Sequence, residues 1–513
     1  MPNLISKKFN VHIAQQFKEA FDESNPDNMY LFYSRIDPWA DDSNPTTLTD
    51  TLFTDRDTWR GMFAFKKVSN NNITLAVNKH SWAANTTYVE YSDRNADLAD
   101  SNFFVITSNN EVYKCLFNAN NAKSTVLPTG RSTSIIETSD GYKWKFMYDI
   151  SQADMNRFGG LNHIPVKTLI SNDGSAQFQV QQAAANGSVP IYEVTAGGSG
   201  YLHDRGTLAG VTNTTAISIA SSGSGTDNVY NGSAIYISSG AGAGQQRVIT
   251  AYNATSKLVT VNNAFTVSPN TSSTYHIGPR INIVGDGNGA EAYANVISGA
   301  VTKITAIDEG SSYSRAKVVI SANPSFGANA TAITYLPDVG GHGSDPVNEL
   351  FGKNVTLNIQ VVGAEGGFFP ANNEFRSFGL IKDPEELSTG NIATDSRYNQ
   401  ATRLTLSSVS GSGAFVEDEF VSGGTSGTKA RVIYFANTNA AQTKGVLHLT
   451  YTEGYFANAE TITANTSSIT GTVTAIARPE LVPFSGRILF TSTQEPLQRV
   501  DAQTENFTIT VRF

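Results

Sequence analysis

The chain has 513 residues, 40% of them hydrophobic and only 16% charged, with a formal net charge of −9. That length suits roughly three or four domains of ~100–200 residues, and the low charge leaves the polar surface to Ser, Thr, Asn and Gly, the composition of many short strands joined by tight turns. No Lys/Arg cluster marks a nucleic-acid footprint, the single Cys115 excludes an intramolecular disulfide framework and a multi-Cys zinc site, no stretch approaches the ~18 apolar residues of a membrane span, and the opening eight residues lack the apolar core of a signal peptide.

In chain order, residues 1–27 predict one short helix, with Ile13, Phe17, Ala20 and Phe21 on one face. The run Tyr30-Leu31-Phe32-Tyr33 reads as a buried strand. Residues 30–170 are rich in aromatics and hold all four tryptophans, Trp39, Trp59, Trp82 and Trp144. Segments 103–107 and 111–117 predict a hairpin, and 144–150 a strand entered through the turn Ser139-Asp140-Gly141.

From about 185 tryptophan disappears and Gly, Ser, Thr, Asn and Ala rise. An internal repeat follows. One copy runs Ile191-x-x-Val194 into Gly198-Ser199-Gly200-Tyr201, the other Ile304-x-x-Ile307 into Gly310-Ser311-Ser312-Tyr313. The second copy continues through Val318-Val319-Ile320 to Gly327-Ala328-Asn329-Ala330. The matching tail of the first lies further on, as Ile281-Asn282-Ile283-Val284 and Gly289-Ala290-Glu291-Ala292. Nesting accounts for the gap: residues 212–280, with strands near 234–237, 247–250 and 257–261, sit inside the first copy, since long loops close at little entropic cost. Residues 355–361 alternate as a strand. A further β module covers 400–478, with strands expected around Phe415, Val416 and Phe420, then at 430–433, 446–449 and 471–476. The chain ends in a strand with Phe507, Ile509, Val511 and Phe513 on one face.

Residues that could carry chemistry are scattered. The seven histidines, His12, His80, His163, His203, His276, His342 and His448, stand singly and outside metal-ligand spacings. The Gly-rich stretches 240–245 and 285–289 lack the helix that a phosphate cradle needs behind it and read as β-turns. Asp286 between glycines has too few carboxylate neighbours for a calcium loop. Glu417-Asp418-Glu419 is adjacent rather than paired across a cleft, which suggests a solvated edge that discourages strand addition. Cys115 sits in an apolar run and reads as a buried, inert thiol. Tyr201, Tyr313, Tyr451 and Tyr455 lie near Gly-containing turns where exposed aromatics could bind sugars, but the equivalent repeat positions of Tyr201 and Tyr313 favour turn anchors with hydroxyls reaching water.

An ordered set of motifs resembles the wedge subunit encoded by gene eight in T-even-type contractile-tailed bacteriophages. They are Ser34-Arg35-Ile36-Asp37-Pro38-Trp39; Asp57-Thr58-Trp59-Arg60-Gly61-Met62 with Lys66-Lys67-Val68; Val112-Tyr113-Lys114-Cys115-Leu116; and Asp140-Gly141-Tyr142-Lys143-Trp144-Lys145-Phe146. Later come Phe375-Arg376-Ser377-Phe378-Gly379-Leu380-Ile381-Lys382-Asp383-Pro384, then Gly486-Arg487-Ile488-Leu489-Phe490, Glu495-Pro496 and Gln503-Thr504-Glu505-Asn506-Phe507-Thr508-Ile509. They cover about 1–170, 345–398 and 480–513. The positions singled out as structural signatures are Pro38, Trp39, Trp59, Cys115, Gly141, Tyr142, Trp144, Pro384 and Phe507.

The expected fold is mainly β and multi-domain: a β-sandwich-like core with a short N-terminal helix and inserted small β modules. The divisions are 1–184, 185–340 (with 212–280 nested), 341–399, 400–478 and 479–513. The resemblance implies a virion protein of the tail baseplate, made in the host cytoplasm. It would be a homodimer that joins other wedge subunits and takes part in baseplate assembly and the contraction switch. It implies no catalytic residue, and the residues themselves suggest no cofactor, no metal, and neither a nucleic acid nor a membrane as partner. A second reading makes the chain a tail-associated adhesin whose inserted modules contact tail fibres or host-surface glycans. A third, a glycan depolymerase, lacks a paired-carboxylate or triad signature.

Overall fold

The computed structural model describes residues 5–22, 27–321, 327–411 and 413–513. Residues 1–4, part of the opening segment read for a signal peptide, lie outside them. The fold is mainly β. The chain divides into two compact units, one of residues 1–11 and 76–352, the other of 12–75 and 353–513.

The expected N-terminal helix is α1, Lys7–Glu19. Its wholly buried positions are Val11 and Ala14; Ile13 and Phe17 are half-buried, while Ala20 and Phe21 lie past its end. Among the described residues four further short α-helices were not expected: α2 (Leu52–Gly61), α3 (Gln152–Phe158), α4 (Ala176–Ala183) and α5 (Pro346–Glu349). Each begins on a capping side chain, from Thr51, Ser151, Ser175 and Asp345 in turn, that accepts a backbone N–H three residues on.

In the second unit, the run 30–33 forms the centre of a strand, Met29–Ser34, buried at all six positions. It pairs antiparallel with Met62–Lys67 on one side and Glu374–Lys382 on the other. Arg487–Gln498 adds at the edge beyond the latter. A facing pair joins Asn354–Val362 to Thr504–Arg512 over nine matched residues. Tyr33, Phe375 and Phe378 from the first sheet meet Phe507 from the second, with ring centroids 5.4, 6.3 and 4.7 Å away. This is the sandwich core. The alternation in 355–361 does not mean one wet face. Thr356 and Asn358 are buried too, bonded to Thr510 and Thr508 across the pair.

Residues 402–477 form a closed six-stranded barrel, which has no free edge. Phe415 and Val416 lie in the turn before Phe420–Gly423 rather than in a strand, because Glu419 ties back to the Val416 N–H. The barrel is a duplication with an offset of 41: Phe415, Glu419, Val421, Thr425, Ser426 and Val432 match Phe456, Glu460, Ile462, Thr466, Ser467 and Val473. The copies hold each other. Glu419 accepts from Thr466 N, Ser467 N and Ser467 Oγ at 3.1, 2.8 and 2.7 Å. Glu460 accepts from Thr425 N, Ser426 N and Ser426 Oγ at 3.1, 2.9 and 3.0 Å.

In the first unit, the hairpin of Phe104–Ile106 and Glu111–Phe117 pairs onward with Lys143–Asp149. Strands between residues 204 and 278 form a seven-stranded antiparallel sheet with its own core around Ile217, Ile235, Tyr252 and Ile277. The Gly-Ser-Tyr repeat is also reciprocal. Tyr192–Ala196 of the first copy pairs with Thr331–Thr334 after the second copy's tail. Ala300–Ser311 of the second pairs with Asn288–Ile297 of the first copy's tail. The equivalent strands Ile281–Gly285 and Ala316–Ile320 pair with each other. Tyr201 and Tyr313 are buried in the shared core. The Tyr201 hydroxyl accepts from Ala330 N at 2.7 Å, so it ends on the backbone and not in water as expected. Asp286 accepts from the Ser314 and Arg315 N–H groups, both at 3.0 Å, and so serves the turn of the other copy.

Candidate functional site

The arrangement that most resembles a built site lies within the second unit, where two motif arginines meet the barrel. Arg35 follows the buried strand Met29–Ser34, and Arg376 lies in Glu374–Lys382. Both are buried. Arg35 Nε and Nη2 donate to the two Asp418 oxygens at 2.8 and 3.0 Å, and Arg376 Nη2 donates to Asp418 Oδ2 at 2.9 Å. Glu374 Oε1 accepts from both arginines, at 3.1 and 2.8 Å, and Glu417 accepts from Arg35 at 2.8 Å. Burial opposes the Asp418 charge, but Arg35 and Arg376 more than offset it and hold the carboxyl below its usual range.

This overturns the solvated-edge expectation for residues 417–419. The tight turn fans the three carboxylates apart: Glu417 and Asp418 meet the core arginines, while Glu419 closes the barrel's own duplication. Around this clamp Arg431 pairs with Asp37, and Arg60 with Glu453. The Tyr451 hydroxyl donates to Asp57 at 3.0 Å, with Arg431 4.1 Å and Arg60 4.8 Å from its ring centre. The barrel is thus seated on the motifs 34–39 and 57–62 by charge and cation–π contact. Such paired groups can hold position; each buried carboxylate already carries its donors.

A second charged cluster lies within the first unit. Lys114, from the motif 112–116, is wholly buried and donates to Glu349 at 2.8 Å. Glu349 Oε1 also accepts from Gly343 N and Asp345 N at 2.8 and 3.1 Å. Lys114 Nζ stands 4.0 Å over the Tyr91 ring and 3.2 Å from His342 Nδ1. Burial, then the charges of Lys114 and Lys145, hold His342 neutral.

The nine signature positions do not converge. Trp59 packs near Phe65 and Phe484, and Pro384 and Phe507 are buried in the second unit. Pro38 is exposed and Trp39 half-exposed there. Cys115, Tyr142 and Trp144 share a core in the first unit, where Tyr142 stacks on Trp144 at 5.4 Å. Burial pushes the Cys115 thiol well up. Gly141 turns at φ +87°, where a side chain would be strained. These are packing positions.

The sequence pattern does not reveal the pairing of Arg35 and Arg376 with Asp418, or of Lys114 with Glu349. A signal existed for the three cations: a single cation within an otherwise apolar strand run must find a partner.

No family model and no curated protein matches the sequence. Among solved structures, a chain of the "Virion of native gene transfer agent (GTA) particle" is similar over 52% of this chain and 83% of its own length, with 10% identity and a TM-score of 0.16. A correspondence that loose equates no domain with another.

Proposed function

We propose that the chain is a structural subunit of a contractile-tail baseplate wedge, acting as a homodimer that joins neighbouring wedge subunits. The observation that carries the reading is where the ordered motifs fall. Their buried members form the sandwich core around Phe507, a separate core around Trp59 and Met62, and the Cys115–Trp144 core, and their charged members Arg35, Arg376 and Lys114 are consumed in internal clamps. A protein that transmits force between neighbours needs several rigid bodies, each with its own core, more than one deep cleft. The reading includes no catalytic step. In the adhesin reading the two Gly/Ser/Thr-rich modules bind the host surface; the exposed Tyr455 favours it locally.

The test has two arms. Purified tails should contain the chain, and light scattering at micromolar concentration should give a dimer. A monomer absent from purified tails sinks the proposal. Loss of adsorption on deleting 191–336, with tails still assembled, would favour the adhesin.

A further inference from the structure

The first unit contains a buried cation that forms no ion pair: the charges of Glu309 and Glu349 act on it, but neither carboxylate is bonded to it. Lys145 is 6% exposed. Its ammonium has three N–H donors and uses one, to the Thr133 carbonyl at 2.5 Å. Among the described residues no carboxylate pairs with it. The contrast with the other buried cations is direct: Lys114 has Glu349, Arg35 and Arg376 have Asp418, and Arg499 has Glu505. A buried charge of this kind is costly unless something answers it.

Beside Lys145 lies a cavity of about 280 Å³, lined also by Ser134, Ser188, Glu309 and His342. The His342 tautomer follows from its neighbour. The Lys114 ammonium can only donate, so Nδ1 accepts and the ring proton sits on Nε2. That N–H has no protein partner among the described residues. The cavity therefore presents an unpaired ammonium and a free imidazole N–H, with serine hydroxyls nearby.

We propose that this cavity binds a small oxyanion of the phosphate or sulfate class, held by the unused N–H donors of Lys145. The ion would accept from Lys145 Nζ and His342 Nε2, beside the Lys114–Glu349 pair. Glu309 and the carbonyl end of α4 also line the cavity. They oppose a second negative charge near them and confine the site to a compact ion on the Lys145 side. Nothing in this depends on the assembly role of the chain.

The test is thermal unfolding of the full chain in chloride buffer, with and without inorganic phosphate at matched ionic strength. A phosphate-specific rise of about 2–4 °C is expected at millimolar phosphate, saturating with concentration, and it should vanish in Lys145→Met. A wild-type chain indifferent to phosphate overturns the proposal, as does a rise that persists in the variant. Should Lys145→Met fail to fold, a selenate soak of wild-type crystals decides: an anomalous peak beside Lys145 supports the site, and none there overturns it.

Discussion

Two Gly/Ser/Thr-rich modules, the repeat within 185–340 and the barrel of 400–478, solve one problem with different chemistry. Each is a duplication in which one copy's turn is completed by the other copy. The repeat does this mostly with shape. Gly198 and Gly310, at φ +63° and +60°, press against the opposite tail, so that an added Cβ would lie 2.6 Å from Ala330 N and 2.5 Å from Asn288 O respectively. The barrel does it with charge, through Glu419 and Glu460. A carboxylate that accepts backbone donors answers to pH; a glycine contact does not. The barrel also holds the clamp to the core arginines, so its seating and the tying of its two copies both rest on charge, around an apolar core.

The largest effect expected is at that clamp. Asp418→Ala leaves Arg35 and Arg376 buried with Glu374, Glu417 and the more distant Asp42 to share, and breaking a buried pair in this way costs about 3–5 kcal/mol. Denaturant unfolding followed by hydrogen exchange should show protection lost first on the faces carrying Arg431 and Tyr451. A loss below about 1 kcal/mol would mean that the barrel is seated by something else.

Next come the reciprocal turns. Glu419→Ala and Glu460→Ala each orphan three backbone N–H groups, including those of Val416 and Ala457, at about 2–3 kcal/mol. Pseudo-symmetry requires the two losses to be similar, and strongly unequal values would break the equivalence. Gly198→Ala and Gly310→Ala should cost about 1–3 kcal/mol each through strained backbone and close contact. Only the barrel pair should show a pH-dependent component. Burial opposes the Glu419 and Glu460 charges, but their backbone donors more than offset it and lower both pKa values. That stability is present above the usual glutamate range and is lost as pH falls through the depressed values.

The barrel carries a second acid sensitivity, at His448. Burial and the nearby Arg403 charge lower its pKa to about 3, and its ring stacks on Tyr434 at 4.3 Å. Between the unfolded value near 6.5 and that depressed value the unfolded chain binds the extra proton. Stability is therefore complete above pH 6.5 and falls below it, by about 2 kcal/mol at pH 5. His448→Phe should flatten this limb of the pH profile for barrel unfolding. An unchanged slope would place the titration elsewhere.

The mainly β class was legible because hydrophobic spacing survives burial: 30–33 and 507–513 announce their strands directly. The Gly-Ser-Tyr repeat was legible because its residues are rare and adjacent. The barrel's duplication was not, since its markers, Phe, Glu and Thr-Ser at 41-residue spacing, are common residues spread along the chain. The clamp failed for a different reason. Adjacent carboxylates read as one solvated edge until a turn aims them apart, and no local pattern ties Asp418 to arginines 383 and 42 residues away. The four extra helices are four to ten residues long, too short for periodicity, though their caps were in view.

The smallest effect tests whether short distance alone marks a strong contact. Arg60 and Glu453 stand 2.6 Å apart, closer than Arg35 and Asp418, yet their side chains are 39% and 64% exposed. Water screens such a pair, and holding two long side chains costs entropy, so its worth is about 0.2–1 kcal/mol. A double-mutant cycle on Arg60→Ala and Glu453→Ala should give a coupling in that range that shrinks in high salt. The same cycle on Arg35 and Asp418 should give a larger coupling that salt barely moves. Because Arg60 also lies over Tyr451, its single substitution should cost more than that of Glu453, and the cycle separates the ring contact from the ion pair. Equal salt sensitivity in both cycles would mean that water reaches the Arg35 clamp, and that the barrel's seat is looser than its hydrogen bonds imply.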